Sequence, residues 1–402
     1  MSRSSNRFRL LALLHLLAKA GFFGGPRRVA GRLGSWYAAN AKPTDDFFIV
    51  REGGAEVVDW LDLHRRLQRL DLPVGVKRDY LPENSIWTRD AIGVHRNVLV
   101  LGIHPTAFGS NGRVCQLMRY RPTKPFDKGH VRTSDLLRME RWLRGKEIGA
   151  KRVERAIILD EQMGHFGHWL FEQLPQLRLL QNDSGLRIIY NGRNSWKKKF
   201  LVDFGWSEDQ LLEYTGEEAF DVQELWTTNA GNLNKLDLYW LRKKALELYG
   251  VDSNAPKRIY VSRQGGGSRM VLNFREIQPV LSEFGIAVVR PEELGIEHSV
   301  RTFAKAEFII GPEGSGTRNM VWSERARVVE IFGHEVNFGQ WCMAHALGFE
   351  FIPYVEERPV PDTDLRWRDI DAKGITVDPN ELRRFLSRHL GDDLGKSRNE
   401  KE

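Results

Sequence analysis

The sequence predicts an α/β protein built on parallel sheets. Three observations carry this reading. From Val153 onward, short apolar runs alternate with helical stretches of about 10–15 residues, the pattern of βαβ units. The runs are solidly apolar rather than alternating, as strands covered on both faces must be. Glycine-containing loops follow several of them where a helix should begin, which is where open α/β sheets hold ligands.

Residues 45–105 read as short strands and turns: DFFIV, AEVVDWL and NVLVLGIH, punctuated by Gly53-Gly54 and Pro82. Residues 106–150 are basic, polar and weakly periodic, and define no elements. Then RAIILD reads as a buried strand, followed by a glycine-containing loop and a helix from about His168 to Leu180. LRIIYN is a strand, SWKKKFLVDFG a helix, ELWTT a strand, and LDLYWLRKKALELYG a long helix closed by Gly250.

A second alternation starts at Lys257. Its strands are KRIYVS, IAVVR, EFIIG and ARVVEIF. Its helices are FREIQPVLSEFG, EHSVRTFAKA, a start at SGTRNMVW, and FGQWCMAHALG. Right-handed crossovers then give parallel sheets in both halves. The expected organisation is an N-terminal arm (1–44), a first domain with a β-rich beginning (45–250), a second domain (251–356) and an extension (357–402). The tail GDDLGKSRNEKE is expected to be disordered.

A chain of 402 residues has room for two or three domains at about 150 residues each. With 41% hydrophobic residues and 12 Trp it is globular rather than disordered. Cys115 and Cys342 lie far apart, so neither a disulfide framework nor a CxxC zinc site is present, and a reducing, cytoplasmic setting is the default. The net charge of +7 is concentrated. Residues 1–44 hold eight basic residues and no acid, leaving 52 basic against 53 acidic residues elsewhere. A nearly neutral body argues against nucleic acid as a partner.

The arm also carries LLALLHLLAKAGFF, Leu10 to Phe23, interrupted by His15 and Lys19 and too short to span a bilayer. The expectation is a peripheral helix at a membrane surface, with a signal segment or an ordinary packing helix as the other readings.

Two strand ends in the second half could hold a ligand. In EFIIG-PEGSGT-RNMVW a strand runs into Gly311, Gly314 and Gly316 and then a helix, whose N-terminus offers free N–H groups to an anion. Ser315 and Thr317 add hydroxyls. Glu330, at the end of the next strand, could accept hydrogen bonds from ribose. The spacing is not GxGxxG, and a tight turn without a ligand is the lesser alternative reading of this loop. In VSRQGGGSRMVLNFRE, Arg263 and Arg269 flank three glycines after a strand, an arrangement that suits a diphosphate or a plain solvated loop.

The matching strand end in the first half is ILDEQMGHFGHWLFEQLPQL. Glu161, His165, His168 and Glu172 are spaced 4, 3 and 4 apart, which on a continuous helix would let His165, His168 and Glu172 ligate a metal. Gly164 and Gly167 argue for a loop carrying His165 and a first helical turn carrying His168. His168 then reads as a base, an anion donor or a cap. Two such halves, each with a strand-end loop, suit transfer between a bulky nucleotide donor and a separate acceptor.

HFGHWLFEQLPQLRLL resembles the HW-x-x-E-x-L-P-x-L signature of glycosyltransferase family 61. So do YVSRQGGGSRMVLNFREIQPVL, with Arg263, Arg269 and Asn273, and VVRPEELGIEHSVRTFAKAEFIIGPEGSGTRNMVW, up to VVEIF. The resemblance covers roughly residues 153–335. It implies a GT-B-like fold, two Rossmann-type domains with parallel sheets facing across a cleft. It also implies an inverting transferase, with a nucleotide-sugar donor, commonly UDP-linked, as substrate and neither a metal nor a resident cofactor.

The acceptor would be a glycan or a lipid-linked glycan, in surface polysaccharide biosynthesis. His168, Glu172 and His165 are then the expected catalytic residues. Arg263, Arg269, Gly311, Glu313, Gly314, Ser315, Gly316, Thr317, Asn319 and Glu330 are the expected nucleotide-sugar site. One departure stands out: Glu313-Gly314-Ser315 replaces the His-Gly-Ala common in the family. Asp362–Asp364, a DTD that imitates a metal-binding DxD, reads as a solvated turn. The rival readings are an NAD-type oxidoreductase and a catalytically inactive glycan-assembly or binding protein.

Overall fold

The computed structural model describes residues 47–52, 72–74, 76–78, 91–112, 115, 117, 131–159, 166–181, 183–228, 230, 235–265, 268–337, 339–360 and 367–399. The arm, AEVVDWL, Gly53-Gly54, Pro82, Glu161, Gly164, His165 and the DTD triplet lie outside them. Among the described residues no helix is long and apolar enough to cross a membrane.

The chain divides into two compact units. One comprises residues 1–57 and 87–232, the other 58–86 and 233–402.

The first unit is built on a seven-stranded sheet. Its strands are β1 (Phe47–Glu52), β2 (Ala91–Leu101), β3 (Thr106–Phe108), β4 (Lys151–Leu159), β5 (Arg187–Asn191), β6 (Leu211–Tyr214) and β7 (Phe220–Thr228). The order is β1-β2-β7-β4-β5-β6, with β3 paired to β2. The sheet is mixed, which corrects the expectation of two parallel sheets: β2 runs antiparallel to β1, β3 and β7, whereas β7, β4, β5 and β6 are parallel. The cause is local. The turn of residues 102–105 folds β3 back onto β2, placing Leu101 opposite Thr106, and only an antiparallel pair closes over so short a link.

Alternate β2 residues serve two cores. Val98 and Val100 join Val153, Ala156, Ile158, Ile189 and Val222. Leu99 and Leu101 join Leu136 and Met139 of helix α1 (Thr133–Leu143). This helix occupies a stretch that the sequence left blank. Its apolar positions 136, 139 and 143 have helical spacing, but arginines and glutamates separate them and mask the signal.

After β4 the chain forms one α-helical turn, Phe166–His168, widens to π geometry over Trp169–Gln173, and tightens to 3-10 geometry over Leu174–Leu180. The sequence anticipated a regular helix over much of this span. Pro175 accounts for the difference: it has no N–H to give to residue 171, and its ring crowds that carbonyl. Helix α2 (Ser195–Asp203) follows β5 as expected.

The second unit carries a five-stranded, wholly parallel sheet of β8 (Arg258–Val261), β9 (Ala287–Val289), β10 (Phe308–Pro312), β11 (Arg327–Ile331) and β12 (Glu350–Tyr354). The order is β9-β8-β10-β11-β12. Its helices are α3 (Lys235–Tyr249), α4 (Phe274–Glu283), α5 (Pro291–Phe303), α6 (Gly339–Ala346), α7 (Trp367–Asp371) and α8 (Pro379–Asn399). In α5, Gly295 leaves helical geometry at φ 66° and kinks the element.

An expected boundary near residue 250 would place α3 in the first domain. In the structure α3 contacts α5 and the 3-10 turn Thr317–Trp322, and the Arg242 Nε donates to Val321 O at 2.6 Å. Lys77–Arg78 also joins this unit, pairing in parallel with Glu335–Val336. The units are therefore not consecutive blocks of sequence.

One face of the second sheet buries Tyr260, Phe308, Ile310, Val329 and Ile331 against Ile277, Val280 and Leu281 of α4 and Leu382, Leu386 and Leu390 of α8. The tail expected to be disordered continues α8 to Asn399. Leucines four residues apart anchor the helix, and helix-forming Leu, Lys and Arg sustain it. Leu386→Ala should cost about 2–5 kcal/mol through loss of burial and the cavity left behind. Urea denaturation of the variant against the native protein measures this.

Candidate functional site

Both sheets change direction of strand order once. β4 has β5 and β6 on one side and β7 on the other, and β8 has β9 on one side and β10 on the other. In open α/β sheets the crevice beyond the carboxyl ends at such a point is the usual ligand site. The residues singled out from the sequence follow these two points, and each is described within its own unit.

In the first unit, His168 ends the helical turn after β4. Its Nδ1 lies 2.5 Å from Glu172 Oε1, one turn on, and both side chains are mostly buried. The spacing of four residues puts them on one face. The Gln176 Nε2 donates to Glu172 O at 3.3 Å and to the Gln173 Oε1 at 3.0 Å. Thr228, at the end of β7, donates through Oγ1 to Gln176 O at 3.2 Å. The carboxyl ends of β4 and β7 are thus tied through the composite helix that carries His168. Trp169 is fully buried against Trp196 and Phe200, with ring centroids 5.2 and 5.8 Å away, and anchors the helix from behind. Gln176 and Thr228 were not anticipated. A polar residue amid the leucines of LPQLRLL was the available signal.

In the second unit, β8 and β10 converge closely. A Cβ on Gly311 would lie 2.6 Å from Val261 O, and one on Gly314 would lie 1.9 Å from the Arg263 Nη1. Glycine at these positions lets the guanidinium of Arg263 lie directly on the loop. The Arg263 Nε donates to Ser268 O at 3.0 Å, and Nη2 reaches the Ser268 Oγ at 3.4 Å. Burial, reinforced by the charge of Arg269, lowers the pKa of Arg263. A guanidinium held this way is under-solvated and gains from an anion.

Arg269, with φ 54°, donates through Nε to Glu313 O at 3.1 Å and lies 3.0 Å from the Glu313 Oε2. No hydrogen bond engages the Nη1 of Arg263 or either Nη of Arg269 among the described residues. Arg269 and Glu313 line a narrow cleft of about 10 Å³, room for about one water molecule, together with Gly333, Asn337 and Asp371. Asp371 shapes that wall by accepting from the backbone N–H of His334 and Glu335 and pairing with the His334 Nδ1 at 2.9 Å.

Glu330 departs from its expected role. It is fully buried behind the loop, so it has no surface for a ribose. Its Oε1 accepts from the Thr317 Oγ1 at 2.5 Å and from Gly314 N at 3.4 Å. Thr317 and Asn319 are also buried: Thr317 reaches Gly314 O at 2.8 Å, and the Asn319 Nδ2 holds Gly316 O at 2.9 Å. These three groups shape the loop, leaving Ser315 and Gly316 as its partly exposed members. The helix expected after the loop is a six-residue 3-10 turn, too short to supply a helix-end field. Arg263 and Arg269 supply cationic character beside the loop, and the buried Arg318 of the 3-10 turn acts on Glu330 from behind it. The Gln340 Nε2, on α6, donates to Gly314 O at 2.9 Å. Its signal was faint: one amide on an apolar helix.

Among the described residues no three His, Cys, Asp or Glu groups could hold a metal ion together. The second unit thus offers two arginines after β8, and the first unit offers a paired histidine and carboxylate after β4. The family model Glycosyltransferase 61 matches residues 166–329, taking in both strand ends, so this segment is similar to that family of glycosyltransferases. No curated protein matches the chain.

Burial, with the charge of Glu313, pushes the Glu330 carboxyl up to about 8 from 4.5. The folded state therefore holds this proton more tightly than the unfolded chain does. The resulting stability is complete below the unfolded value and is lost as pH rises through about 8. Urea midpoints of the native protein should fall between about pH 4.5 and 8 and level off above, and those of Glu330→Gln should fall less. Parallel profiles would show that this proton is not taken up on folding.

Proposed function

We propose that the protein is an inverting glycosyltransferase of the GT-B type that takes a UDP-linked sugar as donor and a glycan or lipid-linked glycan as acceptor. Residues 1–44 hold it at the cytoplasmic face of a membrane, where surface polysaccharide is assembled. The observation that carries the reading is the pair Arg263 and Arg269, with unengaged N–H groups at the turning point of a parallel sheet.

In this reaction the acceptor O–H attacks the anomeric carbon as its bond to the diphosphate breaks. The electron pair of that bond leaves on a phosphate oxygen, and the charge developing there is met by the two guanidinium groups. The acceptor proton goes to His168. With Nδ1–H given to Glu172, the imidazole lone pair lies on Nε2, and Glu172 orients the ring and stabilises it once protonated. His165 is assigned to the same acceptor side. Ser315 and Gly316 are assigned to donor contacts at the exposed part of the loop.

An oxidoreductase using NAD loses its ribose-binding carboxylate, because Glu330 is buried. A catalytically inactive binding protein draws support from one observation, the partial neutralisation of Arg269 by Glu313. Thermal shifts with UDP, GDP, CMP and NAD separate these readings: stabilisation by UDP favours the transferase, and stabilisation by NAD alone overturns it.

Replacing Arg263 and Arg269 together by Ala should weaken UDP about ten- to hundredfold, the worth of a charge-assisted hydrogen bond. Calorimetry measures it, and unchanged affinity removes the nucleotide from this site. His168→Ala and Glu172→Gln should keep UDP affinity but slow hydrolysis or transfer of a UDP-sugar by about 10²–10⁴. Wild-type turnover in both variants would reduce the pair to a helix start.

A further inference from the structure

The ion pair of Arg269 with Glu313 places a carboxylate inside the proposed anion site. Glu313 is buried, and its backbone N–H donates to Ile331 O at 3.0 Å, which ties its main chain to the neighbouring strand. Its side chain lines the same cleft as Arg269. Its charge is felt across the cluster, since it raises the pKa of Glu330 and favours the charged form of Arg263. A phosphate drawn to Arg263 and Arg269 meets the same field with the sign of a repulsion.

We propose that Glu313 is a specificity residue that limits the negative charge this site accepts, by holding Arg269 as a built-in competitor for the ligand's phosphate oxygens. This rests on the nucleotide-binding reading above. With Glu313 set against Arg269, and Glu330 protonated below about pH 8, only part of the arginines' positive charge is left for a ligand. Each further charge on the ligand is bound less favourably than two free guanidinium groups would bind it.

The chemical consequence concerns donor against product. A nucleoside diphosphate joined to a sugar carries about two negative charges, and the diphosphate released carries about three near neutrality. Glu313 therefore weakens the product more than the donor, and favours its departure after transfer.

The test is calorimetric titration of the full chain with uridine, UMP and UDP at fixed ionic strength, comparing wild type, Glu313→Gln and Glu313→Asp. Glu313→Gln keeps the shape and removes the charge. It should bind UDP about tenfold more tightly or better, gain less for UMP, and gain nothing for uridine. Glu313→Asp keeps the charge and should show no such gradient, which guards against an effect of altered folding. Unchanged UDP affinity in Glu313→Gln, or an equal gain for uridine, overturns the inference while leaving the nucleotide reading in place. Wild-type protein and variants that all fail to bind UDP overturn the nucleotide reading, and this inference with it.

Discussion

The glycine loop after β10 keeps its shape because a carboxyl group is buried behind it. Glu330 comes from the next strand and meets the loop with one oxygen, holding Thr317 and Gly314 at once. Its other oxygen, Oε2, is buried without a hydrogen-bond partner among the described residues, a cost that protonation of the carboxyl reduces by removing its charge. Gln340 and Asn319 hold the loop carbonyls from other directions. Because the loop is fixed from behind, its outer side can come within contact of β8, and only glycine at 311 and 314 permits that approach. The position of Arg263 follows from this packing.

Charge in the second unit is distributed economically. Arg263 is half-buried and turned inward to Ser268; Arg269 is tied to Glu313. Neither guanidinium is solvated as it would be on an open surface, and neither has all its N–H groups met. Such a cluster is stable without a ligand and still favourable to one.

The first unit achieves a comparable fixity by different means. A proline breaks the regularity of the helix after β4, and the π turn before it lies beside the paired His168 and Glu172. Trp169 packs on Trp196 and Phe200 behind that turn. Local irregularity is common where a helix positions a side chain for chemistry. Here its cause is legible, since Pro175 follows Glu172 by three residues.

Much of the architecture could be read from the residues alone. The runs AIIL, RIIY, RIYV, FIIG and RVVEI are dominated by apolar and β-branched residues, with arginines only at their first positions, and all are parallel strands in the structure. The helices after them were visible from their periodicity, and the two loops that follow β4 and β10 stood out by their glycines. The spacing of four residues between His168 and Glu172 made their pairing legible, and the position of Arg263 and Arg269 after a strand was legible from the sequence. What the sequence could not decide was every relation set by distant packing. Strand order brought β10 beside β8 and β7 beside β4, and made the first sheet mixed. Assembly moved α3 and Lys77–Arg78 into the second unit. Tertiary structure alone turned Glu330 inward and Glu313 onto Arg269. The physical reason is that a side chain's chemistry is local and written in its formula, whereas its exposure and its partner depend on residues far along the chain.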